Sequence, residues 1–168
     1  ASIKLTFTNL TSENFKTRFG GDFNRGWYSQ TITTDSIIRM EMIDNLPSLF
    51  VETEWKISKK MALRTGVRAE YSSLLQEPAL LPRISAAYKT GTYSQFSFAW
   101  GKYRQKPENE YLQFAPALSP EKADHYILNF QYRKHRRTFR VEGYLKYYDE
   151  LVKFASLYSP VAADYNND

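Results

Sequence analysis

Between residues 49 and 72 the chain alternates apolar and charged side chains, turns over three polar residues, and alternates again. Leu49, Val51, Trp55 and Ile57 alternate with Phe50, Glu52, Glu54 and Lys56. After residues 58–60, Met61, Leu63, Val67, Ala69 and Tyr71 take one side, and Arg64, Arg68 and Glu70 the other. Strand side chains point to opposite faces with period two, so this hairpin has one greasy and one charged surface. That is the profile of a transmembrane β-barrel wall.

The same pattern predicts about four hairpins. The first joins residues 2–8 to 15–25, with Phe15, Phe19 and Phe23 alternating against Lys16, Arg18 and Asp22. The second is the one above. The third joins residues 82–89 to 93–104, where Phe96, Phe98 and Trp100 share a face. The fourth joins residues 123–133 to 138–151 through Lys134, His135, Arg136 and Arg137. Short turns at 10–13, 58–60, 90–92 and 134–137 then lie at one end of an antiparallel sheet. Long connections at 26–47, 73–81 and 105–122 lie at the other. Transmembrane barrels show this polarity, whereas sandwiches with Greek-key crossings usually do not. The stretch 36–43 is apolar enough to extend a strand or form a short excursion. The predicted fold class is all-β, an antiparallel meander of about eight strands forming part of a transmembrane β-barrel.

The 168 residues are 42% hydrophobic and 16% aromatic, too much for a disordered chain. No apolar run reaches the roughly 18 residues of a transmembrane helix, and mean hydropathy is negative. Alternation hides a barrel's lipid face from such averages. Thirteen Tyr, eleven Phe and three Trp suit aromatic girdles at two membrane interfaces. The absence of cysteine removes disulfides and thiolate metal sites.

Catalytic chemistry has no foothold in the pattern. His125 opens one strand of the last hairpin and His135 sits in its turn, about 30 Å away along the strand. There is no nucleophile elbow, HExxH, P-loop or Gly-rich nucleotide fingerprint. The sequence therefore predicts no enzyme, no catalytic or metal-ligating residues and no cofactor. Net charge is +5, but the basic residues are spread over many strands, which argues against nucleic acid as a partner. Glu52, Glu54, Arg64, Arg68 and Glu70 read as a ladder of cross-strand ion pairs. Trp27, Tyr28, Tyr103 and Tyr111 stand where strands enter the long connections and are the candidate ligand contacts, although girdle residues are the commoner occupants of such positions. The basic turn Lys134–Arg137 reads as a solvated turn.

Several stretches resemble a known family. Gly-Val-Arg-Ala-Glu-Tyr at residues 66–71, Pro-Arg-Ile-Ser at 82–85, Gly-Lys-Tyr-Arg-Gln-Lys-Pro-Glu at 101–108 and Leu-Ser-Pro-Glu-Lys-Ala at 118–123 are similar to the barrel of TonB-dependent outer-membrane receptors, in the form common among Bacteroidetes. The resemblance implies an active transporter in the cell outer membrane. Its barrel of about 22 strands is plugged by an N-terminal domain and imports a scarce solute with energy from the inner membrane. Expected partners are outer-membrane lipid, an energy-coupling protein reached through a missing N-terminal part, and a solute that the motifs leave open. Residues 1–168 are then expected to be a partial barrel domain, an excerpt of a longer chain without its plug. A freestanding soluble β-barrel or sandwich that binds an apolar ligand has the same periodicity. The two differ in whether the apolar face meets lipid or packs a core.

Overall fold

The computed structural model describes residues 1–33, 37–154 and 165–167. Eight strands run in chain order through one sheet: β1 (Ser2–Ser12), β2 (Phe15–Thr33), β3 (Ile37–Lys56), β4 (Met61–Ser72), β5 (Glu77–Lys89), β6 (Ser94–Gln105), β7 (Glu121–Lys134) and β8 (Arg137–Asp149). Every neighbouring pair is antiparallel. A short helix α1 (Asn109–Phe114) lies between β6 and β7, and β9 (Val152–Phe154) pairs with β10 (Tyr165–Asn167) in a separate ribbon.

The register gathers the apolar residues on a single face. Phe7, Phe19, Val51, Val67 and Pro82 follow one another across five strands. A second row on the same face runs from Trp55 through Leu63, Ala86, Phe98 and Leu128 to Gly143 across β3 to β8. Aromatic rings meet across strands there, Phe96 with Phe130 at 4.9 Å between centroids and Trp100 with Tyr126 at 6.4 Å. Such pairs contribute about 0.5–1.5 kcal/mol each beyond their burial. No second layer covers this face among the described residues. Leu49 is 70% exposed, Leu5 62% and Leu128 55%. The buried apolar residues, Leu112 and Leu118, belong instead to the connection that carries α1, beside the fully buried Pro107 and Pro120.

All four tight turns fall at one end, as the hairpin pattern requires. The opposite end differs from expectation in two places. Residues 26–47 are not a loop: β2 and β3 stay paired from Gly26↔Asp44 to Thr33↔Ile37. The stretch from Ile37 is thus a strand extension, while Ser36 lies outside the described residues. Beyond Trp27↔Ile43 the apolar face turns polar, with Ser29 opposite Glu41 and Thr31 opposite Arg39, while Met42 and Met40 stand on the other face, so the alternation slips out of phase with the rest of the strand. Pro47 also reads as a breaker, but its missing N–H costs nothing on the β4 side, where pairing starts only at Ser48↔Glu70.

Residues 73–81 likewise shrink to a turn of four, because β5 already begins at Glu77. Asp44 accepts from the Ser72 hydroxyl at 2.9 Å and from the Leu74 N–H at 3.3 Å, which ties this turn to the end of β3. Pro78 and Pro82 lie in β5 where it pairs with β4 alone. Pairing to β6 runs only from Lys89↔Gln95 to Arg83↔Gly101. The sheet therefore forks, and Arg104 bridges the fork to the Glu77 carboxylate at 2.9 Å. Residues 105–122 do form a long connection, with α1 inside it. Near the C-terminus, Tyr165–Asn167 is strand β10.

Candidate functional site

The face opposite the apolar one carries the charges. Asp22 on β2 and Arg68 on β4 are separated by β3, and Ser48 of β3 is small enough to let them meet above it. The Arg68 guanidinium donates to both Asp22 oxygens, at 2.7 and 2.9 Å, and its Nε donates to Glu70 at 3.1 Å. Such a fork-to-fork pair is the strongest geometry an arginine offers a carboxylate. Toward the short turns, Arg64 reaches Glu54 at 2.8 Å and Glu52 at 3.5 Å, with Arg18 at 3.8 Å from Glu52. Farther along the sheet, Glu142 accepts from Asn129 at 3.1 Å and from Arg140. The ladder expected from sequence is present, and the Asp22–Arg68 contact adds a cross-brace that no adjacent-strand rule foresees.

Gly66 leaves a hollow of about 240 Å³ in the middle of this face, bordered by Lys4, Arg18, Glu52, Arg68 and Arg83. A Cβ at Gly66 would meet the Val51 carbonyl at 3.2 Å and Arg83 at 3.5 Å. Arg68 is committed to Asp22 and Glu70. Lys4 and Arg83 have no carboxylate within 4.0 Å among the described residues, and Lys4 rests over the Phe50 ring at 5.6 Å. The hollow therefore presents two cations without a carboxylate in contact, Lys4 standing across from Asp22, and suits an anionic group approaching from the polar side. An isolated glycine inside a strand pattern marks such close approach, and that was its signal in the sequence.

Gly20 shapes the same face. A Cβ there would lie 2.1 Å from the Leu5 carbonyl oxygen and 3.1 Å from the Phe50 ring. Gly20→Ala is expected to push β1 from β2 and to destabilise the folded protein by about 1–3 kcal/mol, read as a lower urea midpoint in micelles.

The four aromatic candidates do not converge. Trp27 lies on the apolar side opposite Ile43 and is exposed. Tyr28 lies on the polar side, where its hydroxyl bonds Gln30 and accepts from Gln113 of α1 at 3.0 Å; Gln113 also donates to Gln30. Tyr103 packs on His125 at 4.5 Å, and His125 in turn meets Tyr148 at 6.5 Å. Tyr111 packs on Tyr165 at 4.8 Å. Two clusters thus stand at the long-connection end of the polar face, one around Tyr28 and one around Tyr103.

Solved structures share this arrangement of strands. The siderophore receptor PirA from Pseudomonas aeruginosa superposes with a TM-score of 0.74 at 14% identity, over 99% of this chain and 32% of that one. A mutant of the ferric enterobactin receptor PfeA from Pseudomonas aeruginosa gives 0.82 at 10% identity, over 99% and 30%. The copper transporter OprC gives 0.72 at 15% identity, over 99% and 31%. The fold is that of a segment of a transmembrane β-barrel wall. This chain spans about a third of the length of those structures. No protein-family model and no curated protein matches it. On a barrel wall the two faces have fixed meanings: the charged ladder and the hollow at Gly66 look inward, and the exposed apolar rows look outward.

Proposed function

We propose that this chain is a wall segment, with its outer loops, of a TonB-dependent transporter in the bacterial outer membrane that captures and imports a scarce solute. The observation that carries the reading is the uncovered apolar face spread over eight strands, backed by a face of ion pairs. On β8 the apolar stripe runs from Phe139 to Tyr147, nine residues, within the roughly 9–11 that a transmembrane strand requires. β1 and β8 each leave one edge unpaired in the sheet. Lipid does not tolerate such edges, which supports further strands from a longer parent that close the barrel. The strand motifs favour the form common among Bacteroidetes, and the plug and the contact to an energy-coupling protein belong to the rest of that parent.

Within the wall, Trp27 serves the outer girdle, whereas Tyr28 and Tyr103 face the lumen and are the aromatic residues placed to touch a passing solute. Lys4 and Arg83 offer the lumen two cations for an anionic group. A freestanding soluble module requires the same apolar residues to pack against one another in a core, and the uncovered face gives no support to that arrangement.

Folding should depend on amphiphile. Purified without detergent, the closed barrel that contains this chain is expected to aggregate, with cooperative sheet structure recovered in micelles by far-UV circular dichroism. A monodisperse, cooperatively unfolding β-protein in plain buffer would contradict a lipid-facing wall.

A further inference from the structure

Basic residues that are scattered along the sequence come together at the short-turn end. Lys56, Lys59 and Lys60 surround the β3–β4 turn, and Lys89 precedes the β5–β6 turn. Arg133, Lys134, Arg136 and Arg137 surround the β7–β8 turn. The turns are physically contiguous. The Lys56 N–H donates to Asn14 O at 2.8 Å, that of Lys89 to Lys60 O at 2.8 Å, and that of Arg133 to Tyr93 O at 2.7 Å. One rim therefore carries all of these cations exposed, and among the described residues none of them lies within 4.0 Å of a carboxylate. Glu13 is the carboxylate in the turns of this rim. The other end is different in kind: there Arg39 pairs with Glu41, Lys102 with Asp124, Arg104 with Glu77 and Lys122 with Glu150.

Immediately inside the rim, on the apolar face, lies a belt of exposed rings: Trp55, Tyr88, Tyr93, Tyr132 and Phe139. Lys134 reaches back over the Tyr93 ring at 5.4 Å. Aromatic rings of this kind settle at headgroup depth, which places the cations one step farther out, at the level of phosphates. Successive turns stand two strands apart, about 10 Å, so the charges form an arc and not a pocket. An arc of that spacing matches a layer of separate anions better than one compact ligand.

Resting on the wall reading above, we infer that the short-turn rim binds the anionic phospholipid headgroups of the adjacent leaflet and selects them over zwitterionic ones. The continuity of the rim with the lipid-facing surface favours lipid over an acidic protein. Clustered Lys and Arg near a membrane gain about 1 kcal/mol each from anionic lipid, so even one effective cation corresponds to roughly fivefold selectivity.

The test reconstitutes the closed barrel that contains this chain in phosphatidylcholine vesicles and compares spin-labelled phosphatidylglycerol with spin-labelled phosphatidylcholine. The motionally restricted fraction of each probe gives their relative association. The wild type should prefer phosphatidylglycerol by roughly fivefold at low salt and lose most of that preference in 0.5 M NaCl, where screening acts over about 4 Å. A Lys59→Gln, Lys60→Gln, Arg136→Gln, Arg137→Gln variant should bring the ratio close to one. Lys102→Gln with Lys122→Gln, at the other end, should leave it unchanged. Equal restriction of both probes by the wild type would overturn the inference while leaving the wall intact, and is the outcome an acidic protein partner predicts. Restriction of neither probe would mean that the protein is outside the bilayer, and would overturn the wall and the inference together.

Discussion

Arg68→Met is expected to lower folding stability by about 3–5 kcal/mol. The arginine is held by two carboxylates, and the Asp22 side chain is only 7% exposed. Methionine keeps much of the aliphatic volume but removes both hydrogen bonds to Asp22. What remains is a carboxylate shielded from water that keeps the Asn24 amide at 3.0 Å and faces Lys4 on β1, but has lost both bonds from the guanidinium. The loss is dominated by that under-compensated charge and not by the worth of the pair itself, so the double variant Arg68→Met with Asp22→Asn should regain a large part of it. Urea titration in micelles, followed by circular dichroism, measures both. An Arg68→Met protein as stable as the wild type would show that the brace across β3 holds nothing.

The second large effect is expected on the opposite face. Leu128 lies mid-strand on β7, between Phe98 and Gly143, and is 55% exposed. Placing arginine there forces a guanidinium into hydrocarbon, which near the bilayer midplane costs about 2–4 kcal/mol. Ser97→Arg, on the neighbouring strand but on the polar face opposite Asn129, should change stability by no more than about 0.5 kcal/mol. Equilibrium folding into vesicles reads the contrast. Equal penalties at the two positions would mean that the faces are not solvated differently.

The limits of what was legible in the sequence follow from the same physics. Alternation exists because lipid meets one face of a strand and water the other, so the strands were plain wherever that contrast holds: Phe96, Phe98 and Trp100 on β6, or Phe19 and Phe23 on β2. Past Trp27 and Ile43 the formerly apolar face is polar while Met42 and Met40 lie on the other, so the outer half of the β2–β3 hairpin falls out of phase with the rest although its hydrogen bonding continues. The expected connections at 26–47 and 73–81 took in Pro47 and Pro78, whereas Pro82 was expected in a strand and lies in one. All three are strand residues that lie just outside the ladder on one side, Pro47 toward β4 and Pro78 and Pro82 toward β6, a circumstance that only the topology reveals.

The polar ladder was legible as a set of residues but not as a set of contacts. Arg64 with Glu54 follows from adjacent strands. Arg68 with Asp22 does not, because it requires the register of three strands and a serine between them. The basic rim shows the same limit more strongly. Lys59, Lys89 and Arg136 belong to three turns, and their scatter along the chain gave the impression of diffuse charge. Hydrogen bonds between successive turns bring them to one edge.

The most direct test of the two-faced wall is a nitroxide scan along β7 in the closed barrel that contains this chain, reconstituted in vesicles. The chain has no cysteine, so single cysteines placed from 126 to 131 can be labelled selectively, in a parent made free of other reactive cysteines. Collision rates with oxygen, which concentrates in lipid, and with a water-soluble nickel chelate should alternate with period two. Positions 126, 128 and 130 should favour oxygen, and 127, 129 and 131 the chelate. Labels at 126, 128 and 130 that are shielded from both reagents would instead describe a packed protein core, and the transmembrane wall would be contradicted.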